Sequence, residues 1–286
     1  MSNFSVVCGT RACNAKCPFC ISKMTEACAA KQPIEFDWLK FKKAMRYVDR
    51  DVRDVLITGR GEPTLYEDHL ILIISELNEH FPNIELQTNG VLYRKFPCEA
   101  WQRNGLNTVA ISLASLKDSL NNEIMGIKGN FSARDAIRRL SERFTVRVSY
   151  QLTMKDGPYY VTEEGCALKV GPESEWFYNT IADAKQLGAK QITFRRVGMP
   201  DKAQNEEAAK WVEMYGDGRD YTEVLDRLGK KLATYHWGGL IYDINGMSVC
   251  VADCLTESPN TFEPRSWIFD GKNFRYSWQY EGAIIF

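Results

Sequence analysis

The sequence predicts an α/β protein built on a mainly parallel sheet. Segments rich in Val, Ile, Thr and Phe alternate with one-sided helical segments along the first 200 residues, in the order strand then helix, six times over. The whole chain has 286 residues, 44% of them hydrophobic, which is enough to bury one large core or two smaller ones. Parallel strands joined by right-handed helical crossovers form either an open doubly wound sheet or a complete or partial barrel. In each of these the active site lies at the C-terminal ends of the strands.

The expected strands are Phe4–Cys8, Asp54–Thr58, Ile84–Thr88, Thr108–Leu113, Thr145–Thr153 and Gln191–Val197. Trp38, Phe41, Met45 and Val48 recur at helical spacing, as do Leu70, Ile73, Ile74, Leu77 and Phe81 before Pro82 and Asn83 end the run. Both helices are apolar on one side, as a helix covering a sheet must be. Further helices are expected at Glu99–Asn104, Ser132–Arg143 and Ser174–Leu187, the last capped by Gly188. Residues 200–220 are polar and read as a connector, and Tyr221–Tyr235 reads as a helix. Two antiparallel hairpins should follow, because Asn245-Gly246 and Asp270-Gly271 each separate short strand-like runs.

Composition excludes several functions. Lys plus Arg total 36 against 37 for Asp plus Glu, a net charge of -1, so there is no overall field to steer nucleic acid or an anionic membrane. No apolar run approaches the roughly 18 residues of a membrane span, and the N-terminus lacks signal-peptide character, so a soluble, cytoplasmic protein is expected. The nine cysteines are unusual, at 8, 13, 17, 20, 28, 98, 166, 250 and 254. Five fall in the first 28 residues, a pattern that favours a metal site over disulfides.

Directly after the first strand stand Cys13, Cys17 and Cys20, with three and two residues between them. Three thiolates hold a [4Fe–4S] cube and leave one iron open to a non-protein ligand. A structural zinc site would need a fourth ligand, Cys8 or Cys28, and the spacing lacks the paired Cys-x-x-Cys knuckles of zinc ribbons. The motif resembles that of the radical SAM superfamily, in which S-adenosylmethionine (SAM) chelates the open iron and is cleaved to a 5′-deoxyadenosyl radical. Three further segments strengthen the resemblance. Gly59-Arg60-Gly61-Glu62-Pro63 is similar to the Gly-Glu motif at the end of strand two, which implies that Glu62 meets the SAM amino group and that Gly61 admits its backbone. Thr88-Asn89-Gly90 resembles the close of strand three, and Ser112-Leu113 the strand-four segment whose hydroxyl faces SAM.

The resemblance covers residues 4–198 and implies a partial (β/α)6 barrel of the TIM type over 1–200, with 201–286 as a C-terminal helix and β-hairpin extension that caps the substrate. It implies a [4Fe–4S] cluster on Cys13, Cys17 and Cys20, SAM as second cofactor, and a flavodoxin- or ferredoxin-type reductant. Phe19 resembles the aromatic beside the adenine. Gln151 and Arg195 are further candidate SAM contacts, and strand alternation allows only one of Arg195 and Arg196 to face inward. Trp237, Trp267, Phe269, Phe274, Trp278 and Tyr280 could cover the barrel or build a small β core of their own.

The expected function is that of an oxidoreductase-type radical SAM enzyme abstracting hydrogen from a small-molecule, nucleotide or cofactor-precursor substrate. An alternative is a SPASM- or twitch-like dehydrogenase or peptide-modifying enzyme, with an auxiliary cluster on Cys98, Cys166, Cys250 and Cys254. A strand starting by Phe4 leaves no room for the leader-binding domain common in peptide maturation. A non-enzymatic alternative is a structural zinc module.

Overall fold

The computed structural model describes residues 3–25, 35–48, 52–162, 167–169, 171–235, 239–254 and 266–286. Cys28, Cys166 and Trp237 lie outside these residues. The strands of the barrel are β1 (Asn3–Val7), β2 (Asp54–Thr58), β3 (Asn83–Thr88), β4 (Thr108–Leu113) and β5 (Thr145–Leu152). A small hairpin of β6 (Tyr159–Val161) and β7 (Ala167–Lys169) precedes β8 (Gln191–Arg196). After it come β9 (Lys230–Thr234), β10 (Leu240–Ile244), β11 (Met247–Asp253), β12 (Ser266–Phe269) and β13 (Phe274–Arg275). Among the described residues eleven of these strands form one sheet, ordered β13-β12-β1-β2-β3-β4-β5-β8-β11-β10-β9. From β12 to β11 every neighbouring pair is parallel.

Alternation along these strands sorts the side chains into two layers. Ile84 and Leu86, Val146 and Val148, and Ile192 and Phe194 are fully buried against the outer helices. Those helices are the ones the periodicity predicts. Trp38–Tyr47 buries Phe41, Ala44 and Met45 and is capped by Asp37, whose carboxylate accepts the Lys40 N–H at 2.9 Å. Glu67–Asn78 buries Leu70, Ile73, Ile74 and Leu77. Ala133–Ser141 and Glu173–Gln186 cover the later strands, and the second ends at Gly188 with φ of 103°. Each aliphatic side chain so buried contributes about 1.5–3 kcal/mol.

The inner layer is polar. Ser5, Glu85, Arg147, Thr193 and Cys250 line one cavity together with Ile268 of β12 and Ile241 of β10. Strands near both ends of the row thus face the same space, so the sheet curls into a barrel around it. Among the described residues no pairing joins β13 to β9, so the barrel is open. This is the partial barrel of the sequence expectation.

The C-terminal third departs from that expectation in several places. Residues 200–220 carry a ten-residue helix, Glu206–Tyr215, capped by Asn205. The helix expected over Tyr221–Tyr235 ends at Leu228, and the chain continues as β9. At Gly229 a Cβ would lie 2.2 Å from the Asp243 carbonyl oxygen, so the chain turns tightly against β10 there. The open edge of β10 then offers hydrogen bonds that outweigh helical spacing. The first hairpin turns at Asn245 and Gly246, both at positive φ (52° and 70°), as a type I′ turn requires. β11 then pairs with β8 from Ser248↔Gln191 to Asp253↔Arg196, and β12 pairs with β1. The hairpins therefore extend the main sheet at both edges.

The C-terminal aromatics divide between the two roles considered for them. Phe269 and Phe274 are fully buried, 5.3 Å from Phe41 and 6.2 Å from Phe4 respectively, and Trp267 stacks on Phe274. Trp278 and Tyr280 line the cavity instead.

Candidate functional site

The site grows from the loop that leaves β1. This loop holds Cys13 exposed and Cys17 and Cys20 half-buried, and three strand-end loops fix it in place. The Ala12 carbonyl accepts the Glu62 N–H at 2.9 Å, on the loop after β2. The Asn14 side chain accepts the Asn89 amide at 2.7 Å, on the loop after β3. The Lys16 N–H donates to the Met125 carbonyl at 2.9 Å, past β4. Gly61 is needed for the first of these contacts, since a Cβ there would sit 2.1 Å from the Ala12 carbonyl oxygen. Its bare backbone thus admits the cysteine loop, and Gly61 also lines the cavity.

Glu62 is buried beneath the loop. One carboxylate oxygen accepts the Thr64 N–H (3.2 Å), the Thr64 hydroxyl (2.7 Å) and the Thr88 hydroxyl (2.6 Å). The other accepts the Asn89 N–H at 2.8 Å. All four donors are neutral, and among the described residues Glu62 has no ion pair. Burial raises its pKa above the ordinary carboxylate value, while the hydrogen bonds oppose that shift. A buried carboxylate on a cavity wall, rich in hydrogen bonds but short of positive charge, is suited to an ammonium ligand.

The three thiols fit a metal cluster. Burial pushes the Cys17 thiol up to about 12, and the neighbouring Cys20 and Cys13 add to the shift. Burial also raises Cys13, with Glu62 and Cys20 adding. Thiolates crowded in this way need a compensating cation. The only set of three metal-ligating side chains with all donor atoms within 4.8 Å of one another among the described residues is Glu76, Glu79 and His80, remote from this loop in sequence. At least one pair of the three cysteine sulfurs is thus more than 4.8 Å apart, beyond the roughly 3.8 Å edge of a tetrahedral zinc–thiolate site.

The candidates for the cluster and SAM all open onto one cavity of about 1210 Å³: Cys13, Cys17, Cys20, Phe19, Gly61, Glu62, Asn89, Ser112, Gln151 and Arg195. Asn89 also directs its amide at the Cys13 sulfur, 3.7 Å away. Phe19 packs on Trp211 at 5.4 Å, so the helix in the supposed connector supports the cysteine loop. Gln151 donates to the Ser149 hydroxyl at 3.3 Å and accepts the Cys254 thiol at 3.3 Å. Arg195 faces the cavity, whereas Arg196 pairs with Asp253 at 2.7 Å.

Other residues of the wall escaped the sequence reading. Glu85 and Arg147 form an ion pair inside the barrel, and Thr193 lines it too, beside Cys250 and Cys254, which the sequence offered for an auxiliary cluster. Their signal was present as polar residues at every second position of β3, β5 and β8. Cys98, by contrast, begins a helix of the outer layer and does not line the cavity. Arg60 is buried on the cavity wall and reaches Asp270 at 3.5 Å, which also binds Arg275 at 2.5 Å. This ties the loop after β2 to the C-terminal hairpin.

Three clustered thiols and an ammonium-ready carboxylate at the C-terminal ends of parallel strands fit a barrel enzyme that holds a metal cluster beside an amino-acid-like ligand. The family model described as the radical SAM superfamily matches residues 7–159, and the chain belongs to that superfamily. It is accordingly an enzyme whose cofactors are a [4Fe–4S] cluster and SAM. Among solved structures it is similar to Streptococcus suis SuiB bound to S-adenosylmethionine, with 14% identity, a TM-score of 0.58, and coverage of 96% of this chain and 60% of that one. SuiB bound to the precursor peptide SuiA matches with 18% identity and a TM-score of 0.53, over 79% of this chain and 44% of that one. Methylornithine synthase (PylB) matches with 11% identity and a TM-score of 0.50, over 77% and 58%. At these identities the likeness concerns the fold, and the chain spans about half the length of the SuiB chains. No curated protein matches it in sequence. No described helix is long and apolar enough to cross a membrane.

Proposed function

We propose that Cys13, Cys17 and Cys20 hold the [4Fe–4S] cluster, that Glu62 binds the SAM ammonium, and that the polar barrel takes a small-molecule, nucleotide or cofactor-precursor substrate for hydrogen abstraction. When bound and reduced, the cluster with SAM supplies a 5′-deoxyadenosyl radical. The observation that carries this reading is the shared cavity, onto which the three thiols and the buried carboxylate of Glu62, without an ion pair among the described residues, both open.

The chain's own residues orient and enclose. Glu62 fixes the amine end of the ligand, and Asn89 spans the Glu62 carboxylate and the cysteine loop. Ser112, Gln151 and Phe19 face the remainder of the cofactor, and Trp278 and Tyr280 close the mouth. A flavodoxin- or ferredoxin-type protein supplies the electron, and the reaction proceeds in the cytoplasm.

The SPASM- or twitch-like alternative requires more thiols near Cys250 and Cys254 than the described residues bring there, with Cys98 on the outer layer. The test is anaerobic reconstitution, with iron, sulfide and zinc counted per chain and the spectrum of the reduced cluster recorded by electron paramagnetic resonance with and without SAM. About four irons and a SAM-dependent spectrum support the proposal. About eight irons transfer it to the two-cluster alternative. Stoichiometric zinc without iron overturns it in favour of the structural module.

A further inference from the structure

Of Arg60, Arg147 and Arg195, which all line the barrel cavity, only Arg195 has no carboxylate within 4.0 Å among the described residues. Arg147 on β5 is neutralised by Glu85 on β3. Arg60 shares Asp270 with Arg275. Arg195 on β8 has no such partner: its Nε donates to the Ser149 hydroxyl at 2.9 Å, and among the described residues no carboxylate lies within 4.0 Å of it. Its two terminal nitrogens make no hydrogen bond to a described residue, and the side chain lines the cavity. Burial, with the positive charge of Arg147 nearby, lowers its pKa, yet an arginine stays charged. The cavity wall therefore carries a fixed cation with a free donor edge.

We infer that Arg195 is the substrate anchor, and that the substrate of this enzyme carries a carboxylate or phosphate group that seats on the free edge of its guanidinium. A planar fork of parallel N–H groups matches two oxygens of either anion. The SAM carboxylate fits this position poorly. Glu62 and Asn89 follow the ends of β2 and β3, whereas Arg195 is on β8, four strands along the row from β2. Arg195 thus stands on a different part of the barrel wall from the residues that meet the SAM amine. The inference rests on reading this cavity as the substrate site, and it moves Arg195 from the cofactor to the substrate.

The test uses the reconstituted holoenzyme and two probes, inorganic phosphate and acetate, against chloride at matched ionic strength. In the wild type, one probe at tenfold over half-saturation should raise the unfolding midpoint by about 2–3 °C above the chloride control. Arg195→Gln should weaken that binding more than tenfold, while the SAM-dependent change in the cluster spectrum persists. Arg195→Lys, which keeps the charge but not the fork, should fall between the two and guards against a folding defect in the first variant. A larger response to phosphate assigns a phosphorylated substrate, and a larger response to acetate a carboxylic acid. No response in the wild type, or an equal one in Arg195→Gln, overturns the inference. So does loss of the SAM-dependent spectrum in Arg195→Gln, which would return the residue to the cofactor. A wild type that binds the anion but gives no SAM response refutes the radical SAM assignment of the site and leaves the anion site standing.

Discussion

The Glu62 carboxylate accepts the backbone N–H of Asn89 at 2.8 Å, and the Asn89 amide in turn reaches Asn14 on the cysteine loop at 2.7 Å. Two strand ends and the cluster loop are thereby held in one hydrogen-bonded chain. A change at Glu62 should therefore be felt both by the ligand and by the loop.

Replacing Cys13, Cys17 or Cys20 singly with Ala should reduce iron to well under one per chain. The helical and strand signals in circular dichroism should stay intact, since all three residues lie in a loop outside the sheet. Iron analysis after reconstitution checks the first expectation and thermal melting the second.

SAM binding should weaken as pH falls. Burial holds the Glu62 pKa above its ordinary value, so the native state takes up a proton at a pH where the unfolded chain has already lost it. In that window the native state binds more protons, so the contribution of Glu62 to stability falls as pH rises through its native pKa. Ammonium binding needs the charged form and should release that proton. SAM titrations between pH 5 and 8 should show affinity falling toward acid, and Glu62→Gln should abolish both the slope and most of the affinity, by about 2 kcal/mol or more.

Gly61→Ala should disturb the cysteine loop although it removes no ligand. The new methyl would stand 2.1 Å from the Ala12 carbonyl oxygen, and the atoms it meets on Ala12 and Arg11 are all backbone, so the loops must separate. Iron incorporation should fall several-fold, with a loss of about 1–3 kcal/mol in chemical denaturation. Full iron loading at wild-type stability would show that the two loops do not need this close contact.

Asp270→Ala should be the more damaging change on the C-terminal side. It strands the Arg60 and Arg275 guanidiniums, each about 5% exposed, without their shared carboxylate. Losing one partner of a buried ion pair costs about 3–5 kcal/mol. Asp270→Asn should cost less, because it can still accept the N–H groups of Lys272 and Asn273 (2.9 and 2.7 Å). Urea unfolding of the two variants compares them directly.

Much of this architecture could be read in one dimension because its causes are local. The six barrel strands lie within one or two residues of where Val, Ile, Thr and Phe cluster, and the turn at Asn245 and Gly246 follows from their tolerance of positive φ. The cysteine spacing and the Gly-Glu segment carried the resemblance that implies the cluster and SAM, because each motif is a few adjacent residues, whereas the burial of Glu62 depends on Thr88 and Asn89 from the next strand end. Tertiary structure decided whatever depends on which strand edge meets which. Lys230–Thr234 became a strand because β10 offered an open edge. The hairpins joined the sheet at β8 and β1, and Arg60 found Asp270 across 210 positions of sequence. The unpaired charge of Arg195 is of the same kind: an arginine in a sequence carries no sign of its partner, and only the folded barrel shows that Glu85 is already taken by Arg147.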